Sequence, residues 1–540
     1  MKIAMLSWES MHSIAVGGIA PHVTELATAL HRRGHDVHIF TRRRDGQKRY
    51  ERIGDVHYHR CAYVGHEEFT EDMTQMADSF AWHLGEVEYG YGEPFDVVHG
   101  HDWMITRALV RLKNERHRPA VMTIHSTEYG RCGNELFWHG QSKRIRDLEW
   151  EGAYVADRVI CVSESLRKEV SQLYTLPENK TLSIYNGVNA SRFDAPVDVE
   201  KIRRSCAVNA DEPCVLFAGR LAWQKGPDML LEAVPSVLER RPEVKFVFAG
   251  EGEMRPQLEA QAAAAGIARS VRFVGYRTGQ DLVGLFKSAD LVCVPSRNEP
   301  FGIVILEAWS ASKPVVATRT GGPAEFVRHQ DTGWTVPSDV ESIGDGLEAV
   351  LADDDHARRM GVNGRREAET RFSWNTIAAQ TEGVYLSVLG APPLSPPFTR
   401  GRVGPRAELE VEAVMARTRS TREQQGNGSA ATPPNPDIHV GRTTPPGVNT
   451  GARERAATET KAAGPRTTSP PPLKRGGSGG SAAGRGSATM TSPQVEPTAE
   501  QIRRRAYEIF LSRNGTPGDP MTDWVQAERE LRERLCPGKS

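Results

Sequence analysis

The sequence predicts an α/β protein: two doubly wound, Rossmann-like domains facing a cleft, then a disordered linker and a short C-terminal helical hairpin. Three observations predict this. Strand-like and helix-like segments alternate through the first 390 residues, the pattern of a parallel sheet covered on both faces. The pattern restarts once, at CVLFAGR (214–220). Beyond it large apolar residues nearly vanish, and between Tyr385 and Tyr507 the one aromatic residue is Phe398. The divisions fall at 1–195, 196–390, 391–496 and 497–540.

The first strand reads at KIAMLSW (2–8). A glycine loop leads from it to a helix with Val23, Leu26, Ala27 and Leu30 on one face, which stops at Gly34 before strand-like DVHIF. DVVHG (96–100), AVMTIH (120–125) and RVICVS (158–163) continue the series, each followed by helical sequence. After 214 come VKFVFAGEG, VRFVG, LVCVP and PVVAT, a second sheet. The helix around Trp374 to Leu389 is expected to cross back onto the first domain. From 391 to 496 the chain is rich in Pro, Gly, Ser, Thr and Ala. It offers too little apolar surface to offset the entropy of ordering, so it reads as a disordered tether. At the end, Thr498 and Gln501 form a capping-box pattern before Ile502, Ala506, Ile509 and Phe510. Trp524, Ala527, Leu531 and Leu535 mark a second short helix. So small a hairpin is expected to dock on a partner or on the main body.

Of the 540 residues, 68 are Lys or Arg and 69 are Asp or Glu, a net charge of -1. Such balance argues against whole-chain binding to nucleic acid or to an anionic membrane, both of which need a basic field. The 7 cysteines are odd in number and form no Cys-x-x-Cys pair, so the sequence suggests neither a disulfide framework nor a zinc knuckle. No apolar run reaches the ~20 residues of a membrane span, and the first ends at Leu6, too short for a signal-peptide core. The expected location is the cytoplasm.

Several residues can carry chemistry. Gly17 and Gly18 lie between the first strand and its helix, where backbone N–H groups and a helix N-terminus attract an anion; two glycines also make an ordinary tight turn. Arg220 and Lys225, in GRLAWQKGPDMLLEA, follow the first strand of the second domain. Two cations there suit a departing diphosphate, and a solvated loop fits them as well. Glu299 and Glu307 are eight apart in EPFGIVILE. Carboxylates accept paired hydrogen bonds from vicinal hydroxyls, so one can hold a sugar and the other a ribose, while Glu307 alone also reads as a helix-surface residue. His99 and His101 fall on one side of an extended segment, which raises a metal site. No cysteine or third histidine has ligand spacing, so none is expected.

Together these segments resemble family 4 retaining glycosyltransferases of the GT-B fold, over about residues 1–390. The second-domain set GRLAWQKGPDMLLEA, GEGE, VGY and EPFGIVILEA carries the resemblance. It implies that Gly17 and Gly18 meet the diphosphate of a nucleotide-sugar, that Arg220 and Lys225 neutralise it, that Glu299 holds the transferred sugar and that Glu307 holds the ribose. HGHDWM and TIHSTEYGR are most similar to glycogen synthases of the compact archaeal type, which implies that Asp102 and His125 lie beside the transferred glucose. On this resemblance the donor, UDP-glucose or ADP-glucose, is a substrate, no cofactor or metal is required, and the acceptor is a glucan or another saccharide. The bacterial ADP-glucose enzymes have Lys-x-Gly-Gly-Leu at the first loop, and this chain has Ala15-Val16-Gly17-Gly18-Ile19. The segment from Ile502 to Leu535 resembles a small bacterial domain of unknown function. Three other readings stand beside the glucan synthase: a family 4 enzyme of surface or lipid-linked polysaccharide, a GT-B sugar epimerase, and an inactive transferase body serving as a scaffold.

Overall fold

The computed structural model describes residues 1–137 and 139–390, with Gln526 and residues 529–531. The expected linker at 391–496 lies outside the described residues, as does most of the expected hairpin at 497–540. Within that hairpin, Gln526 and residues 529–531 are helical, and Gln526 Nε2 donates to Glu530 Oε1 one turn on, at 2.9 Å.

The first sheet contains β1 (Lys2–Leu6), β2 (Asp36–Arg42), β3 (Tyr50–Ile53), β4 (Val56–Cys61), β5 (Val97–His101), β6 (Ala120–Ile124), β7 (Arg158–Cys161) and β8 (Thr181–Ser183). Their spatial order is β3-β4-β2-β1-β5-β6-β7-β8. Only β3 and β4 run antiparallel, joined at Gly54 and Asp55, whose φ of 54° and 68° are those of a tight hairpin turn. The second sheet is parallel throughout: β9 (Cys214–Ala218), β10 (Lys245–Ala249), β11 (Val271–Phe273), β12 (Leu291–Val294), β13 (Val315–Thr318) and β14 (Trp334–Val336), in the order β11-β10-β9-β12-β13-β14.

Burial on both faces explains why these strands read as apolar runs. In β1, Ile3 and Met5 enter one core and Ala4 and Leu6 another. The helix Ile19–Arg32 buries Val23, Leu26, Ala27 and Leu30, and Gly34 follows it at a φ of 89°. Against that helix lies the last one, Trp374–Gly390. Glu382 accepts from Arg33 Nε at 2.7 Å, and the Tyr385 hydroxyl meets His99 Nδ1 at 2.7 Å. From Trp374 the chain therefore returns to the first domain. No helix of the described residues is long and apolar enough to cross a membrane.

Topology places the site. The chain runs from β1 to β2 on one side and later reaches β5 on the other; β9 stands in the same relation to β10 and β12. Ligands of open α/β sheets bind outside the carboxyl ends of strands at such switch points. Gly17, Asp102 and His125 follow β1, β5 and β6, whereas Arg220 and Glu299 follow β9 and β12.

Candidate active site between the two sheets

The glycine loop already holds an anion from its own chain. Glu9, 1% exposed, accepts from the backbone N–H of Val16 at 2.5 Å and of Gly17 at 2.8 Å. Burial raises its pKa, against the pull of those two donors and of Arg42. The Gly17 donor that the sequence offers to a phosphate is thus engaged by a carboxylate that sequence reasoning passed over. Neither glycine adopts a left-handed backbone, so no positive φ requires glycine at these positions. At Gly18 the constraint is proximity: a Cβ there would stand 3.2 Å from Ile303 Cδ1, on the other domain.

Asp102 and His125 meet directly. The His125 backbone N–H donates to Asp102 Oδ1 at 2.7 Å. Asp102 sits at a φ of 59°, a strained setting for a non-glycine residue of the kind concentrated at working sites. Burial pushes its carboxyl up to about 6, although Arg131 and the N–H groups of His125 and Ser126 favour the charge. Beneath it the Arg131 guanidinium donates to Ser126 Oγ at 2.7 Å, Glu128 at 3.0 Å and Glu149 at 2.6 Å. Burial opposes the Arg131 charge, and Glu149 and Glu128 more than restore it. Arg131 is the second residue that sequence reasoning left without a role, though it stands in the same HSTEYGR segment.

The histidines divide. Both nitrogens of His99 are taken, by Tyr385 and, at 2.7 Å, by Thr123 Oγ1, so His99 and His101 do not form a chelating pair. Instead His22, from the first helix, joins His101 and His125, with ligating atoms within 4.8 Å of one another. Spacing in the sequence could not reveal this third histidine. The surrounding protein lowers the pKa of His125 to about 3, so its imidazole is neutral at physiological pH. His22 Nε2 and His101 Nε2 are buried without a hydrogen-bond partner.

In the second domain, Lys225 Nζ lies 2.8 and 2.9 Å from the two carboxylate oxygens of Glu299, and Ser296 Oγ donates to Glu299 Oε2 at 2.7 Å. The residue expected on the phosphate and the residue expected on the sugar are therefore one ion pair here. Arg220 donates to Gln224 Oε1 at 3.2 Å; desolvation lowers its pKa, with Glu253 and Glu299 opposing. Glu307, in the middle of the helix Ile303–Ser310, is partly buried: burial pushes its carboxyl up to about 7, with Arg192 pulling the other way. Burial raises the pKa of the Tyr276 hydroxyl, and the charges of Glu9 and Glu307, one from each domain, raise it further. Tyr276 is 55% exposed.

The two loop sets touch. Asn298 Nδ2 donates to Asn134 Oδ1 at 2.8 Å, and the Glu325 carboxylate accepts the N–H groups of Glu164 and Ser165 at 2.9 and 2.5 Å, at the start of the helix Glu164–Tyr174. A cavity of about 190 Å³ lies between them, bounded by Asn134, Glu169, Asn298, Glu299 and Gly321.

This pairing of two parallel sheets about a polar cleft defines the GT-B class of fold, and sequence comparison agrees. Residues 16–192 match the family described as Glycosyltransferase Family 4, residues 198–367 match Glycosyl transferases group 1, and residues 497–533 match a protein family of unknown function, DUF2934. An uncharacterized glycosyltransferase of Methanocaldococcus jannaschii is 40% identical over 389 residues, 71% of this chain and 98% of the relative. The glycogen synthase of Mycobacterium tuberculosis is 31% identical over 404 residues, 72% of this chain and 95% of the relative. Among solved structures, sucrose-phosphate synthase from Thermosynechococcus elongatus superimposes with a TM-score of 0.61 at 25% identity, covering 72% of this chain and all of that one. The chain belongs to the family 4 glycosyltransferases, with an additional C-terminal DUF2934 segment.

Proposed function

We propose that the protein is a retaining hexosyltransferase that moves glucose from UDP-glucose or ADP-glucose to the non-reducing end of an α-1,4-glucan. The observation that carries this reading is the joining of HGHDWM to TIHSTEYGR through Asp102 and the His125 N–H, 2.7 Å apart. The likeness to a glycogen synthase over 95% of that enzyme's length supports it.

In this reading the donor diphosphate lies between the glycine loop and Arg220. It meets the Gly18 N–H, and it takes the Gly17 N–H when Glu9 releases it. Lys225 turns from Glu299 toward the leaving group, and Arg220 supplies a second positive charge. Charge aimed at a developing oxyanion in a dry cleft is worth about 10²–10³ in rate for each donor. Glu299, released from the ion pair, accepts hydroxyls of the transferred glucose; Glu307 holds the ribose, and Tyr276 stacks on the base. Departure and attack occur on one face of the sugar, the acceptor hydroxyl passing its proton to the leaving diphosphate. Asp102 and neutral His125 orient the glucose from the first domain. Resident residues supply the cations, so turnover needs no metal.

The M. jannaschii relative and sucrose-phosphate synthase leave room for a different acceptor. A donor and acceptor screen that follows nucleoside diphosphate release decides between them. Release from UDP- or ADP-glucose that depends on glycogen is expected. Release that depends only on a lipid or small acceptor moves the protein to the polysaccharide branch of the family.

A further inference from the structure

We propose that Asp36, His38 and His57 form a binding site for a divalent transition-metal ion, zinc above all, on the rim of the first sheet opposite the cleft. The strands build it. Asp36 and His38 are two apart on β2, and His57 is the direct partner of His38 on β4, so all three share one face of the sheet. They lie at the amino ends of these strands, whereas the cleft lies at the carboxyl ends.

The spacing fits an ion. Asp36 Oδ1 is 3.3 Å from His38 Nε2 and 3.4 Å from His57 Nε2. Four-coordinate zinc, with bonds of about 2.0–2.1 Å, separates its ligand atoms by roughly 3.3–3.4 Å. His38 Nε2 is fully buried and has no hydrogen-bond partner, even with the Asp36 oxygen so near. A buried nitrogen left unpaired costs stability, and a metal ion removes that cost.

The surroundings fit as well. Histidine ligands commonly fix their ring orientation through the nitrogen that is not on the metal. Here His38 Nδ1 meets His59 Nε2 at 2.9 Å, and His57 Nδ1 meets the Tyr50 hydroxyl at 2.8 Å. Two nitrogens and one carboxylate select zinc, cobalt or nickel over magnesium and calcium. The rings of His38 and His57 stack at 5° to one another, and His57 is the less buried of the two. Asp36, exposed to solvent, is the port of entry. This site is independent of the transfer reaction.

The full chain, dialysed against chelator, is titrated with Zn²⁺ by calorimetry and with Co²⁺ by visible absorption. Wild type is expected to take up an equivalent of zinc that Asp36→Ala and His57→Ala lose and that His22→Ala, in the cleft cluster, retains. Circular dichroism checks folding, and turnover of both rim variants is expected to equal wild type. Zinc uptake by the folded rim variants equal to that of wild type overturns the proposal. So does the absence of uptake by wild type at micromolar zinc, or a loss confined to His22→Ala.

Discussion

Lys225 and Glu299 close a two-point ion pair across the switch point of the second sheet, its N···O distances 2.8 and 2.9 Å. The Lys proposed to reach a phosphate and the Glu proposed to reach a sugar thus hold each other in the protein alone. In the proposed reaction, binding of the donor exchanges this pair for two contacts with substrate. Removing either partner leaves the other in a poorly solvated cleft with an unmatched charge. Lys225→Ala and Glu299→Ala are each expected to lower kcat/KM by about 10² or more, and the double variant to fall well short of the product of the two losses. Fully multiplicative losses in a double-mutant cycle would mean that the residues act independently.

Arg220 has no carboxylate within ion-pair distance among the described residues, and its polar contact is with Gln224. Its positive charge is therefore available to a ligand. Arg220→Ala should reduce kcat by about 10² with native circular dichroism. Activity within about threefold of wild type would return Arg220 to the role of a solvated loop residue.

Glu307 makes a stability prediction with a definite sign. Its pKa is near 4.5 when unfolded and about 7 in the folded cleft. Between these values the native state keeps a proton that the unfolded state has lost. Its contribution to stability therefore falls as pH rises from 4.5 to 7 and is level above. Glu307→Gln removes the buried charge: at pH 8 the ligand-free variant is expected to be about 1–3 kcal/mol more stable than wild type, and at pH 4 nearly equal. The same variant should raise KM for the donor. Chemical unfolding at the two pH values checks this, and a pH-independent difference contradicts it.

The two sheets were legible because parallel strands are apolar on both sides, and KIAMLSW, CVLFAGR and LVCVP announce themselves. Four strands were not. β3 and β4 sit at an edge and read YERI and VHYHRC, too polar to stand out, and β8 and β14 are three residues each. Candidate residues were legible where a charge stands beside glycine or proline in a loop, as at Arg220 and Glu299. The site was illegible where partners come from distant segments. Nothing local ties Lys225 to Glu299 or His22 to His125; only the topology of the sheets brings them together. Arg131 was hidden differently, since a buried arginine answered by Glu128 and Glu149 looks in sequence like any surface charge.

The C-terminal segment is expected to be dispensable for chemistry. A cut after residue 395 spares the helix Trp374–Gly390, whose Tyr385 holds His99 and whose Trp374 covers Gly187. Turnover of the truncated chain should stay within about threefold of the full chain, whereas a loss above about tenfold, equivalent to ~1.4 kcal/mol, would show that the DUF2934 segment takes part.

Glucan elongation is tested by linkage analysis of the product. Glycogen is incubated with radiolabelled UDP-glucose or ADP-glucose, and the incorporated label is then digested with an enzyme that cuts only α-1,4 bonds from the non-reducing end. The account predicts incorporation from at least one donor, complete release of label on digestion, and near-abolition by Glu299→Ala with folding intact. Failure of both donors to label glycogen, with transfer of another nucleotide-sugar to a lipid or small acceptor, would contradict the glucan assignment and leave family membership untouched.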